Sequence, residues 1–374
     1  MGKVKEIPVI ELNGTPRERG HIHGETLRAQ IHGMVAAWKA NIHADTGMHP
    51  DLFFKKFLEQ TNYLPAARRW TPDLLEEVEG IAEGSGVPFE IIFARQLSDE
   101  EPMFRLEVKF GKYWGVEHCS ALGVGRQGTL NPIIAQNMDT PAYYDGYQIL
   151  LHIKQPGSNI EAFVLTIAGK ISLAGLNNRG VGICCNSILQ LDFARDGLAE
   201  DFVVRGTLQQ PDLDHAVGFM HAVHHASGQN YVLGDPQHIV DLEVSTHRID
   251  EYHPLANVER VYHTNHPIVN NDQAIWNQRM DMSPKEQTQA YLARSTSRAR
   301  LGTLARYLDD RNEMITVEKI KTILSSHDGP VCIDGADDKI SLACLIMELS
   351  PNPTLHLSPG PPCSTPFKTY RLGA

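Results

Sequence analysis

Trp114-Gly115-Val116-Glu117-His118-Cys119-Ser120-Ala121-Leu122-Gly123-Val124 passes from aromatic and charged residues into small residues of strand character. Cys119 and Ser120 stand at the boundary. A thiol placed there can cut its own chain. Breaking the His118–Cys119 bond makes Cys119 a new N-terminal residue, with its thiol as nucleophile and its freed α-amine as base. The unperturbed pKa of such an amine, about 7.7–8.0, leaves it substantially neutral near physiological pH.

The next strand-like stretch is Ile133-Ile134-Ala135-Gln136-Asn137-Met138-Asp139, reached through Gly125-Arg126-Gln127-Gly128. A hairpin would bring the end of the second strand beside the start of the first, and so place Asp139 near Cys119. A carboxylate there can hold or orient the freed ammonium. The alternative role for Asp139 is to cap the turn at Thr140-Pro141.

Farther along, strands are expected over 119–125, 132–137, 147–154, 160–167, 170–175, 181–187, 230–234, 238–244, 341–348 and 354–358. Helices are expected over 16–36, 50–81, 212–226, 287–308 and 313–325. Helices, sheet, helices and sheet again imply a layered α+β fold. Gly20 and Gly24 inside the first helix cost about 1 kcal/mol each against alanine and imply close packing. The glycine-rich run from Glu79 to Val87 reads as a helix stop; it lacks the Gly-Lys-Ser/Thr ending of a phosphate loop. Residues 99–118 read as an exposed linker leading to Cys119.

Two later segments add candidate groups. In Tyr262-His263-Thr264-Asn265-His266-Pro267, Asn265 can offer its amide to an oxyanion, a donor typically worth about 3 kcal/mol in the transition state. His263 and His266 read as structural or exposed. Ser295-Thr296-Ser297-Arg298-Ala299-Arg300 lies early in a helix, where an arginine either holds a carboxylate, on Asp139 or on a substrate, or points to solvent. Cys184 and Cys185 are adjacent on a strand and point to opposite faces, so they read as core rather than as joint metal ligands.

Composition sets the frame. The chain has 374 residues, 42% hydrophobic and 21% charged, which suits a globular protein with a sizeable core. A net charge of −11 argues against nucleic acid as a partner. No apolar run is long enough to span a membrane, and Met1–Pro8 lacks the apolar core of a secretory signal. Six cysteines without a CxxC pair point to a reducing compartment, so a cytoplasmic location is expected.

Taken in order, these segments resemble the acyl-coenzyme A:6-aminopenicillanic acid acyltransferase family, self-cleaving N-terminal-nucleophile (Ntn) hydrolases also classed as C45 peptidases. The resemblance spans nearly the whole chain. It is carried by Gly14–Gly24, Glu76–Val87, Cys119-Ser120, Gln136-Asn137-Met138-Asp139, Thr264-Asn265-His266, Ser297-Arg298 and Gly360-Pro361-Pro362-Cys363. It implies one domain over 1–374, a four-layer αββα sandwich. Cleavage would divide the domain into a small subunit, 1–118, and a large one, 119–374, which could in turn form a homo-oligomer. Matched by motif, Cys119 is the nucleophile, Asp139 and Arg298 support it, Asn265 is the oxyanion donor, and Asn186 contributes its backbone N–H. No cofactor and no metal are implied. The implied partner is a small-molecule amide (an N-acyl amino acid, a β-lactam side chain or a β-alanyl amine) hydrolysed through a Cys119 thioester. The alternative is transfer of the acyl group from a thioester or amide to an amine.

The sequence departs from the family twice. His118 stands where the family often has glycine; its bulk could slow self-cleavage, or its imidazole could activate the thiol. Ala94-Arg95 stands where the family tends to carry asparagine. Two readings of other classes compete. One is a metallohydrolase using His221 and His225 at helical spacing, near His215 and His224 but with no HExxH motif. The other is a non-catalytic binding protein on a degenerate form of the fold.

Overall fold

The computed structural model describes residues 6–108, 119–155, 157–282, 285–335 and 338–373. The expected scissile residue His118, and the 109–118 part of the expected linker, lie outside them. In chain order the first elements are β1 (Val9–Leu12), α1 (Pro16–Thr26), α2 (Arg28–Thr46), α3 (Pro50–Glu59), α4 (Tyr63–Trp70), α5 (Pro72–Ser85), α6 (Phe89–Arg95) and α7 (Glu100–Val108). Then come β2 (Ser120–Val124), β3 (Ile133–Pro141), β4 (Gln148–Lys154), β5 (Glu161–Ile167), β6 (Ala174–Asn177) and β7 (Gly182–Ser187). They are followed by α8 (Glu200–Thr207), α9 (Leu213–Ala222), β8 (Gln229–Gly234), β9 (Ile239–Val244), β10 (Ile249–Glu251) and β11 (Arg260–His263). The last are α10 (Ala274–Met282), α11 (Lys285–Arg294), α12 (Ser297–Leu308), α13 (Val317–Leu324), β12 (Lys339–Glu348), β13 (Thr354–Ser358) and β14 (Lys368–Arg371).

The described strands make two sheets, ordered β1-β4-β5-β6-β7-β8-β9-β10 and β11-β2-β3-β12-β13-β14. Only β1 and β4 pair in parallel; the other pairings among these strands are antiparallel. The sheets pack face to face. Ala121, Ile134 and Met138 point into the core shared with the eight-stranded sheet. Their neighbours Leu122, Val124, Ile133 and Ala135 point outward, onto α12 and α13 through Leu304, Leu308, Ile320 and Ile323. Both faces of β2 and β3 are therefore buried, and their polar members Ser120, Gln136 and Asn137 are buried with hydrogen-bond partners. With α1 on β1 and α8 on β7 outside the other sheet, the order is helices, sheet, sheet, helices: the αββα layering that the family resemblance implied.

The ten expected strands are present to within a few residues, with β10, β11 and β14 beyond them, whereas the long helices break up. The helix expected over 50–81 becomes three, because Pro72 disfavours helical backbone at Thr71 (ψ 55°) and Thr61-Asn62 leave the helix before α4. The helix expected over 16–36 turns at buried Leu27, and that over 287–308 breaks at Ser295-Thr296. The helix over 212–226 ends at Ala222. His225 therefore lies beyond it, buried and bonded to the Met220 carbonyl, and the supposed His221–His225 helical pair does not exist.

Residues 100–108 also correct an expectation. They form α7, not an exposed linker, and Asp99, Glu100, Glu101 and Arg105 are buried. Their partners explain the burial: Arg105 pairs with Glu101, Ser227 donates to Glu100 at 2.8 Å, and Gln229 donates to Asp99.

The close packing expected at Gly20 and Gly24 is present, and its other half is the supposed glycine stop. A Cβ on Gly20 would lie 1.9 Å from the Glu77 carbonyl oxygen, and one on Gly80 would lie 2.2 Å from that of Arg17. The α1 and α5 backbones thus meet glycine to glycine, beside a buried charge cluster. In it Glu77 accepts from Arg19 at 3.1 Å and from Arg205 at 3.0 Å. Gly80→Ala should destabilise the fold by at least about 1–3 kcal/mol in chemical denaturation, because backbone cannot yield as a side chain can. Gly218→Ala, where nothing lies within 4 Å of the added carbon, should instead be neutral or stabilise by up to about 1 kcal/mol.

Candidate active site

Cys119 immediately precedes β2. The β2–β3 ladder pairs Ser120 with Asn137, so Cys119 sits opposite Met138 and beside Asp139. Its Sγ lies 3.9 Å from the Asp139 carbonyl oxygen. Opposite Asp139 the β3–β12 register slips between Ser341 and Ala343. Such a bulge re-aims a side chain; here Ser341 Oγ donates to Asp139 Oδ1 at 2.5 Å. Asp139 Oδ2 is buried and receives no hydrogen bond from the described residues. Burial pushes the Asp139 carboxyl up to about 7, against the pull of Ser341, Arg300 and Lys339.

The arginine of α12 that reaches this point is Arg300, not Arg298. Arg298 is exposed, while Arg300 is fully buried. Its guanidinium donates to the Cys119 carbonyl oxygen, to Ser120 Oγ at 3.0 Å, to Asn265 Oδ1 at 2.8 Å and to Thr296 Oγ1 at 3.1 Å. This correction follows from helix geometry: residues two apart point to nearly opposite sides, so one arginine faces inward and the other faces water.

Asn265 is brought to Cys119 through Arg300. Its Nδ2 donates to the Ser187 carbonyl at 3.0 Å, which leaves the second hydrogen of that amide for another acceptor. The backbone N–H of Asn265 donates to Ser297 Oγ at 2.8 Å, and Ser297 Oγ lies 2.7 Å from His266 Nδ1. Burial pushes His266 down to about 4, which favours the neutral ring beside that hydroxyl. The rest of the loop is held by Glu243. Its carboxylate accepts from the backbone N–H groups of Ile268, Val269 and Asn270 at 2.6, 2.9 and 2.6 Å, and lies 2.7 Å from His263 Nε2. Both histidines are structural, as the sequence suggested.

Asn186 is placed differently. Its side chain bonds Gln136 and Asn230 between the sheets. The Ile188 N–H donates to Gly228, preceding β8. Strand alternation sends the Asn186 N–H the same way, into the β7–β8 ladder. The residues on either side, Cys185 and Ser187, face Cys119 instead.

A cavity of about 220 Å³ opens beside Cys119. Its wall includes Asp139, Asp99, Glu200, Cys185, Ser187, Lys170, Glu101, Arg105, Tyr143 and Tyr144. Carboxyl groups outnumber cations, and the cations are occupied. Lys170 pairs with Asp201 at 3.1 Å, and Arg105 pairs with Glu101 and, at 3.4 Å, with Asp45. Burial pushes Glu200 well above the ordinary carboxylate range and Glu100, behind the wall, to about 8. Cys185 donates to Glu200 at 3.0 Å, and burial followed by that carboxyl pushes its thiol up as well. Sequence reading missed Asp99, Glu200 and Cys185.

A model of the family described as acyl-coenzyme A:6-aminopenicillanic acid acyl-transferase matches residues 126–353. The match begins seven residues after Cys119 and contains Asp139, Asn186, Asn265, Arg298 and Arg300. No curated protein matches the sequence. Several solved structures align with it. A mutant of a conjugated bile acid hydrolase from Clostridium perfringens is 10% identical over 68% of this chain and 97% of that one, with a TM-score of 0.41. A second variant of the same hydrolase is 12% identical over the same shares, with a TM-score of 0.45. Penicillin V acylase from Agrobacterium tumefaciens is 10% identical over 68% and 86%, with a TM-score of 0.41.

Two outcomes test this geometry, both in a Cys119→Ala background that keeps covalent continuity equal. Arg300→Met strands buried acceptors on the backbone carbonyl of position 119, on Ser120 and on Asn265, at about 1–3 kcal/mol each, whereas Arg298→Ala should stay within about 0.5 kcal/mol of the parent in denaturation. His266 is held below its unfolded value of 6.5. The stability it contributes is therefore present above that pH and lost as pH falls toward 4. The unfolding midpoint of His266→Asn should fall less steeply across that window than that of the parent.

Proposed function

The chain belongs to the acyl-coenzyme A:6-aminopenicillanic acid acyl-transferase family, Ntn-type enzymes of amide hydrolysis or acyl transfer, and from that premise we propose a self-processing N-terminal-cysteine amidohydrolase acting on a small amide that carries an ammonium group. The observation that carries the reading is the convergence of Cys119, Asp139 and Arg300 at one end of the acid-walled cavity.

In the proposed processing step the Cys119 thiol attacks the His118 carbonyl. The peptide becomes a thioester, and water hydrolyses it to release residues 1–118 and free the α-amine. That amine then takes the thiol proton, and the thiolate attacks the substrate amide. The remaining Asn265 Nδ2 hydrogen supports the oxyanion. The α-ammonium returns its proton to the leaving amine, and water cleaves the acyl-cysteine. Asp139 Oδ2 is an acceptor for the α-ammonium. Arg300 fixes the nucleophile by its own carbonyl, the supporting role first expected of Arg298. The six cysteines, none in a disulfide, support a cytoplasmic setting.

The wall decides among substrates. N-acyl amino acids and β-lactams bring a carboxylate, which would meet Asp99, Glu200 and Asp139 with Lys170 and Arg105 already paired. A β-alanyl amine brings an ammonium, for which buried carboxyl groups are favourable partners. Hydrolysis is preferred to transfer because water is always present as acceptor.

Denaturing intact mass tests the processing. A 41.6 kDa chain cut before Cys119 should give fragments of about 13 and about 28 kDa, and Cys119→Ala should remain whole and inactive. A cut or active alanine variant would sink the nucleophile assignment. For the substrate, kcat/KM for a β-alanyl amide should exceed that for the succinyl amide of the same amine by at least about tenfold, about 1.4 kcal/mol. Parity, or preference for the succinyl compound, would overturn the ammonium reading.

A further inference from the structure

Away from the cavity, three loops bring together Asp192, His247 and Asp272. Asp192 follows β7, His247 lies in the turn between β9 and β10, and Asp272 closes the loop that begins at Asn265. One ligand atom from each lies within 4.8 Å of the other two. His247 Nδ1 is 2.9 Å from Asp272 Oδ2, which also accepts from Ser245 Oγ at 2.6 Å. Asp192 is only 4% exposed, yet its carboxylate is half used. Oδ1 accepts from the Ile275 N–H at 2.8 Å, and the other oxygen receives no hydrogen bond from the described residues.

The backbones are already joined: Asp192 N–H donates to the Asp272 carbonyl at 2.7 Å, and Thr246 N–H to that of Asp192 at 3.2 Å. The three side chains therefore start from positions fixed by main chain. Arg248, the neighbouring cation, is spent on Asp250 and on Asn271 at 2.8 Å. A buried carboxylate with a spare oxygen, a second carboxylate and an imidazole, with ligand atoms within 4.8 Å of one another, form a donor set for a divalent transition metal.

We infer that Asp192, His247 and Asp272 bind one divalent metal ion of the zinc or manganese type, with water completing its coordination. The ion would close the three loops on one another and anchor the far end of the loop that carries Asn265. Calcium is a poor fit, because imidazole is not one of its ligands. This inference does not rest on the proposed reaction; it stands or falls on binding alone.

The test is calorimetric titration of the metal-stripped full chain with zinc chloride and, separately, manganese chloride. Wild type should take up one zinc or manganese ion per chain, with a raised unfolding midpoint. His247 is exposed, so His247→Ala should fold normally, and Asp272→Asn keeps the shape of the carboxylate. Each should weaken that binding at least about tenfold, the scale on which even outer partners of a metal act. His215→Ala, which removes a surface imidazole paired with Asp212, should leave it intact. Failure of both metals to bind stoichiometrically would overturn the site. So would binding that survives His247→Ala and Asp272→Asn unchanged, since that would place the ion on other surface histidines.

Discussion

A guanidinium taken out of water must find acceptors for its N–H groups, because each one left unpaired costs free energy that packing cannot return. Arg300 meets that demand with groups from three separate segments: the start of β2, the loop after β11 and the residue before α12. Its planar fork fixes their directions as well as their distances. Cys119 and Asn265 therefore cannot move independently. The anchor on Cys119 is its own carbonyl, in the bond to Ser120. Cleavage on the other side of Cys119 would leave this attachment in place, so the same contact can hold the residue as part of a chain and as a new terminus.

How much of this was legible depends on where each signal lives. The β2–β3 hairpin was readable because its two apolar runs and the glycines between them are local, and once it is drawn Asp139 must fall beside Cys119. The choice between Arg298 and Arg300 was not readable: the motif marks a helix, and only packing decides which side of it faces in. The glycines offered a signal that one-sided reading missed. Gly20 and Gly24 share a four-residue spacing with Gly80 and Gly84, as two helices in backbone contact require. Asn186 failed for a related reason, since its strand position is right but alternation assigns the cavity to Cys185 and Ser187.

The acidic wall was the least legible part. Asp99-Glu100-Glu101 has the composition of a solvated run. What buries it is 127 and 130 residues away, in Ser227 and Gln229, and no local pattern reports partners at that distance. Their cost is real, because burial of several carboxyl groups around one lysine drives some of them to keep their protons. A fold selected for stability alone would have little reason to place such a group beside a nucleophile, and that is why these residues carry weight in assigning a substrate.

Two glutamates show how the site divides its labour. Burial pushes both Glu200 and Glu243 upward. At Glu200, Asp201 adds to that push and Lys170 only partly offsets it, so the group stays well above its ordinary range. At Glu243, His263 and the backbone N–H groups of Asn270 and Ile268 outweigh burial, and the group ends below its ordinary range. One carboxyl is thus an ionised post with its acceptor sites filled, able to hold the Asn265 loop in a single position. The other is held toward its protonated form by burial and by Asp201. On the proposed reading, rigidity lies on the side that would stabilise a developing negative charge, and the acidic side would receive a positive one. The direction of each follows from whether the donors around it outweigh its burial.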